Sequence, residues 1–193
     1  MSHFLNVYLL DLIELEAVIG SGNEEFLGRL LAEAPDHDPE CGFCEPCESS
    51  DCEGPDCEEC EYCEDAQLPH ALRTIFAGGP FNEVYAHAYV AALESICQGL
   101  GTSAGEVNFW FGYEGLPDVI LTLASSMDGR DPFPYTEDNG WGHIGKQGCA
   151  DQLAEWETIA AGPDDHGGYA DSIVDWFRQS TSDKKDLIGF WAG

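Results

Sequence analysis

The segment 41–63 holds seven of the nine cysteines in the chain. Their spacing is C-x2-C-x2-C-x4-C-x4-C-x2-C-x2-C, which is symmetric about the central cysteine. Thiolates presented in pairs two residues apart are a common arrangement for binding soft metals such as zinc. We therefore predict a metal site, and the candidate ligands are Cys41, Cys44, Cys47, Cys52, Cys57, Cys60 and Cys63.

Ligand number and charge both bear on what this segment can do. Four thiolates complete a tetrahedral zinc site, so the segment could hold one ion, or two through shared sulfurs, with Cys52 as a bridging or spare ligand. The many carboxylates nearby raise the pKa of a free thiol and disfavour a nucleophilic cysteine. A bound cation reverses this effect, because the same carboxylates attract it and the metal deprotonates its thiols. The segment is therefore better suited to collecting cations than to thiol catalysis.

Zinc is the leading interpretation, but other states of these cysteines stay open. Each C-x2-C-x2-C triplet resembles part of a bacterial ferredoxin motif, although the following C-x3-C-P is missing, so an iron–sulfur cluster is less favoured. Disulfides are disfavoured by the odd number and by the absence of a secretory signal. A Cu(I) site and a reduced, disordered loop are the remaining alternatives. His37, four residues before the first cysteine, is a further candidate ligand.

The cysteines lie within an acidic insert at residues 35–65. It contains no aliphatic residue, and Phe43 and Tyr62 are its only aromatic residues. Such a segment cannot bury enough apolar surface to offset the entropy of ordering its backbone. The insert must be tied together by a metal or crosslink, or else be a disordered acidic loop. We expect the rest of the chain to form one domain over residues 1–193, with the insert within it.

Acidity extends over the whole chain, which has 37 acidic residues, seven Lys plus Arg and a net charge of −30. A surface of this kind repels nucleic acid and anionic membranes, and it favours cations or a basic protein partner. No apolar run is long enough for a membrane helix, so we expect a cytoplasmic protein. The alternative function is an acidic protein-interaction module, of the antitoxin, immunity-protein or nucleic-acid-mimic type, whose cysteine loop is not essential. Neither the metal-binding function nor the protein-interaction function predicts an oligomeric state.

The elements expected to position the insert are mainly helical. Periodicity and turn residues predict an α+β fold with about three short strands rather than a doubly wound sheet. Strands are predicted at residues 3–11, 107–113 and 187–191. Helices are predicted at residues 12–19, 24–34, 68–77, 83–98, 116–126, 149–160 and 169–179. Asn23 is predicted to be the N-cap of the second helix.

Outside the insert, chemistry-bearing residues are sparse. Cys97 is expected to be buried, whereas Cys149 opens a predicted helix whose dipole could lower its pKa. The two helical histidines, His70 and His87, are expected to be structural. An enzyme is the less favoured class, because its only candidate site is the loop 128–143 and there is no recognised catalytic motif. The candidate acid, base and binding groups of that loop are Asp128, Arg130, Asp131, Tyr135, Glu137, Asp138, Trp141 and His143.

Three stretches together resemble a family of small uncharacterised bacterial proteins known only as a domain of unknown function. They are VYLLDLIELEAVIGSGNEEFL near the start, LPHALRTIFAGGPFNEVYAHAYVAALESICQGLG in the middle and KKDLIGFWAG at the end. The resemblance covers most of the chain outside the insert. It implies a shared fold and no particular activity.

Overall fold

A computed structural model describes residues 2–34, 64–110, 117–124, 139–162 and 168–192. These residues form four strands, seven α-helices and one 3-10 turn. In chain order they are β1 (Ser2–Leu10), α1 (Leu12–Glu16), α2 (Glu24–Glu33), α3 (Glu64–Ala77), the 3-10 turn (Glu83–Tyr85), α4 (Ala86–Leu100), β2 (Thr102–Trp110), α5 (Asp118–Ala124), β3 (Asn139–Ile144), α6 (Lys146–Ala160), α7 (Tyr169–Asp183) and β4 (Asp186–Ala192).

The chain divides into two compact units. The first comprises Met1–Glu16, Cys97–Asp131 and Thr136–Gly193, and the second comprises Ala17–Ile96 and Pro132–Tyr135. The first unit therefore contains the strands, and the second contains the helices on either side of the insert. The expectation of a single domain over residues 1–193 remains a prediction.

The first unit is built on an antiparallel sheet with the strand order β2-β1-β4-β3. Most residues of the two central strands, β1 and β4, are apolar, and both faces of each strand carry buried side chains. On β1, Leu5, Val7 and Leu9 point to one face, whereas Tyr8 and Leu10 point to the other, and all five are buried. β4, which comes last in chain order, is a central strand of the sheet. It pairs with β1 from Phe4↔Ala192 to Leu10↔Asp186.

Three helices share a core with one face of this sheet. Trp176 and Phe177 of α7 and Trp156 of α6 are buried, and they belong to the same apolar cluster as residues from β1, β4 and α5. Burial of large aromatic and branched side chains of this kind is the main stabilising term for such a unit. On the opposite face, Trp141 of β3 stacks on Phe190 with ring centroids 6.1 Å apart.

The second unit packs helices α2, α3 and part of α4. Phe26 of α2 meets Phe76 of α3 edge to face, with centroids 5.6 Å apart. Asn23 caps α2, since its side-chain oxygen accepts a hydrogen bond from the backbone N–H of Phe26 at 3.1 Å. The sequence prediction of that cap is confirmed.

The predicted α+β class and its helical bias are confirmed, but the expected number of about three strands is wrong. A fourth strand, β3, lies within the stretch 128–148 that we expected to be a loop, and it pairs with β4 from Asn139↔Ala192 to Ile144↔Leu187. Its two glycines and single branched residue give little local preference for a strand, so pairing with β4 decides its conformation. Among the described helices, none is long and apolar enough to cross a membrane.

Candidate functional site

All seven predicted metal ligands and His37 lie outside the described residues. The structure does describe the two helices from which that segment departs. It leaves after Ala34, whose N–H donates to the carbonyl of Leu30 at 2.9 Å, and it returns at the start of α3, at Glu64. The candidate metal segment therefore joins α2 directly to α3.

The start of α2 is fixed to the end of α3 by contacts that involve no cysteine. The N–H of Gly22 donates to the carbonyl of Phe76 at 2.9 Å, and the N–H of Gly20 donates to the carbonyl of Ile75 at 2.9 Å. The packed rings of Phe26 and Phe76 lie at the same place. These contacts join the start of α2 to the end of α3.

Within the described parts of the chain, no group of three or more His, Cys, Asp or Glu side chains is arranged to hold a metal ion. His70 and His87 instead contact other groups. The ring of His70, for example, lies 4.5 Å from the ring of Tyr85, centroid to centroid. The metal hypothesis therefore depends on the seven cysteines of residues 41–63 and on His37, all of which lie outside the described residues.

The two cysteines outside the insert, Cys97 and Cys149, are fully buried thiols. Burial raises the pKa of Cys149 to about 11, although the nearby hydroxyl of Ser180 acts to lower it. The thiol also lies 3.8 Å from the carbonyl oxygen of Ile144. The raised pKa argues against a reactive Cys149, an interpretation that the sequence also disfavoured, because burial disfavours the charged thiolate.

The candidate catalytic loop lies largely outside the described residues, including its members Asp128, Arg130, Asp131, Tyr135, Glu137 and Asp138. Its described members Trp141 and His143 lie on β3. Trp141 is buried and stacks on Phe190 of β4, so its side chain has a packing role. His143 pairs with Ile188 of β4 in the sheet register.

The structure brings together a group of charges that the sequence analysis did not single out. All three lysines of the chain, Lys146, Lys184 and Lys185, lie where β3 passes into α6 and where α7 passes into β4. Lys185 contacts Asp11 at 2.8 Å and Glu14 at 3.2 Å, and Lys146 contacts Asp11 at 3.1 Å. We call these five residues together with Asp186 the lysine cluster.

Asp11 and Asp186 are the two acceptors that organise the lysine cluster. The ammonium groups of Lys185 and Lys146 hold the pKa of Asp11 below its usual value. In turn, hydrogen bonding to Asp11 and Glu14 raises the pKa of Lys185. The carboxylate of Asp186 accepts the backbone N–H groups of Lys146 at 2.9 Å and Leu12 at 3.0 Å. The sequence signal for this cluster was that three of only seven basic residues fall at these two helix ends.

A groove opens beside the lysine cluster, between the first turn of α6 and the last turn of α7. Its volume is about 380 Å³, and it is lined by Lys146, Gln147, Ala150, Ser180, Thr181 and Lys184. Ser180 is fully buried and donates its hydroxyl to the carbonyl of Lys185 at 2.6 Å. The groove is thus lined by ammonium and hydroxyl groups together with the aliphatic parts of the lysines and Ala150.

The chain matches the model of a protein family described as a domain of unknown function, DUF7691, over residues 1–192. It belongs to this family. The resemblance noted in the sequence is therefore confirmed. No curated protein and no solved structure matches the chain.

Membership of the DUF7691 family assigns no activity, because the family itself is defined without one. The matched range includes the insert at residues 35–65. Function must therefore be argued from the residues of this chain, and they offer two places: the cysteine segment and the lysine cluster.

Proposed function

We propose that this member of the DUF7691 family is an acidic, cytoplasmic binding protein that holds zinc in its cysteine-rich insert. The observation that supports this is the spacing of seven cysteines, symmetric about Cys52, in a segment with no aliphatic side chain to order it. Thiolates are the preferred protein ligands of structural zinc, and metal binding supplies the ordering energy that the segment lacks. Eight carboxylates between Cys41 and Cys63, and no basic residue there, increase the attraction for a cation.

The number of cysteines in the insert favours two zinc ions. Two tetrahedral ions need eight sulfur positions, and seven cysteines supply eight when one sulfur bridges both ions. Cys52 is the natural bridge, because one triplet of cysteines precedes it and the other follows it at the same distance. Each ion would then take three terminal thiolates and share the sulfur of Cys52.

Elemental analysis of protein purified without chelators tests this proposal. We expect about two equivalents of zinc per chain and no free thiol in the insert while metal is bound. One equivalent would overturn the bridged arrangement. Less than about half an equivalent of any transition metal would overturn the metal site itself. Iron accompanied by an equal amount of sulfide would indicate an iron–sulfur cluster instead of zinc. An intact mass lower than that of the reduced chain by two hydrogens per bond would indicate disulfides instead of a metal site.

A matched pair of variants separates the bridging role from general damage to the insert. Cys52→Ser removes the proposed bridge, so we expect it to retain no more than about one equivalent of zinc. Ser50→Ala changes a nearby side chain that is not a proposed ligand, and it should keep the full metal content. Equal zinc content in the two variants would show that Cys52 is not a ligand.

The high acidity favours a second candidate function, a module that binds a basic protein. Such a protein would act through its −30 charge, and the cysteine loop would not be essential. A basic partner that still binds after all seven cysteines of the insert become serine would support this function over the metal-dependent one. Neither candidate contacts nucleic acid or a membrane, because both surfaces repel a protein of this charge.

A further inference from the structure

We propose that the groove between α6 and α7 binds the anionic oxygens of a small molecule, a carboxylate or a phosphate, through Lys184 and Lys146. This inference goes beyond the proposed metal function and uses only described residues of the first unit. The two lysines lie at the ends of different helices and line one cavity of about 380 Å³. They are two of only seven basic residues in a chain with 37 acids.

Two of the three lysines of the lysine cluster are paired with carboxylates, and Lys184 is the third. Each oxygen of Asp11 takes one lysine, and each oxygen of Asp186 takes one backbone N–H. Lys185 is further held by Glu14. Across the ranges that the structure describes, Lys184 has no ion pair, so its ammonium is available to a ligand.

The first turn of α6 supplies further donors at the groove. Gly145 precedes the helix and offers no side-chain cap, and the turn contains no acidic residue. The N–H of Lys146 already donates to Asp186, whereas the N–H groups of Gln147 and Gly148 have no acceptor among the described residues. Free N–H groups at the start of a 15-residue helix favour an anion.

The size and lining of the groove indicate the class of ligand. A cavity of about 380 Å³ is much larger than a bare phosphate or acetate, and small-molecule sites of this kind combine apolar walls with a few polar groups. The wall formed by Ala150 and the lysine stems would contact an aliphatic portion of the ligand. The expected ligand is therefore a small organic acid or an organic phosphate, held by its anionic group.

Amide chemical-shift titration of the full chain tests this site, with succinate and inorganic phosphate as separate probes at constant ionic strength. We expect saturable shifts at Gln147, Gly148 and Lys184 for at least one probe, and the stronger one identifies the anion class. Lys184→Gln should weaken binding by about fivefold or more, because a charge-assisted hydrogen bond is lost. Arg178→Gln removes an equal charge from an exposed pair with Glu157, and its affinity should stay within about twofold of the parent.

Three results would overturn the site. These are no saturable shift with either probe, shifts spread over the surface without a focus at the groove, or equal weakening by Lys184→Gln and Arg178→Gln. A thermal unfolding curve of each variant shows that the fold is retained. If Lys184→Gln does not fold, the affinities of Thr181→Val and Lys146→Gln, which change other lining residues, are compared with that of Arg178→Gln instead.

Discussion

At the scale of single residues, burial decides the chemistry of the cysteines that the structure describes. Cys149 occupies the first turn of a helix, a position that can activate a thiol. It is nevertheless fully buried, and burial raises its pKa to about 11. A thiol in this state is a packing residue rather than a nucleophile.

The shifted pKa of Cys149 predicts a loss of stability at high pH. Its pKa rises from 9.0 to about 11 on folding, so the thiol contributes stability that is fully present below pH 9 and is lost as the pH rises through 11. The loss should reach about 3 kcal/mol of unfolding free energy. Urea unfolding measured across this range, in a background in which the seven cysteines of the insert are serine, gives the value.

Cys149→Ala in the same background is the control. Alanine does not titrate, so the unfolding free energy of this variant should fall less steeply with pH than that of its parent. A constant offset between the two would only reflect the lost packing of the thiol. Parallel curves across the range from pH 9 to about 11 would contradict the raised pKa.

At the scale of elements, the sheet of the first unit is set by close packing of a helix on a strand. Gly189 of β4 lies beneath Leu123 of α5, and a Cβ at this position would lie 2.7 Å from the Cβ of Leu123 and 2.8 Å from its carbonyl oxygen. The missing side chain thus allows α5 to approach the strand. The sequence shows a glycine inside a strand, which often marks such an approach, but it does not show which element approaches.

Gly189→Ala should therefore destabilise the protein by about 1–3 kcal/mol, because the added methyl group overpacks the contact with α5. Denaturant unfolding followed by circular dichroism gives the change. Gly28→Ala is the matched control, since a methyl group added at Gly28, inside α2, would have no neighbouring atom within 4 Å. That change should be neutral or stabilising by up to about 1 kcal/mol. Equal effects of the two substitutions would show that the contact with α5 is not tight.

At the scale of the whole molecule, the most prominent feature is the large negative net charge. The chain carries −30, and salt screens repulsion between exposed charges because the Debye length falls from about 10 Å at 0.1 M to about 3 Å at 1 M. Repulsion of this kind destabilises a compact state more than an expanded one. The stability of the folded protein should therefore depend on salt.

The melting temperature should rise by several degrees, about 2–8 °C, when NaCl is raised from about 0.1 M to about 1 M. A triple variant, Glu33→Gln, Glu106→Gln and Glu155→Gln, removes three exposed charges without touching a described ion pair. It should melt higher than the parent at low salt and gain less from added salt. A melting temperature that falls with salt, or an equal gain for both proteins, would contradict self-repulsion as the cause.

Local sequence determined much of this protein. The apolar run of β1, the Asn23 cap of α2 and the helical class follow from side-chain type and spacing over a few residues. The candidate metal ligands also follow from spacing alone, because the thiolates of the insert are neighbours in sequence.

Tertiary structure decided what depends on distant partners. The strand β3 forms because β4 pairs with it, Cys149 is inert because the core of the first unit buries it, and the lysine cluster joins residues from Asp11 to Asp186. No local sequence pattern predicts these contacts, since each one pairs groups that come together only when the chain folds. The physical reason is the same in each case: the energy of burial, strand pairing and charge contact depends on which groups meet in space.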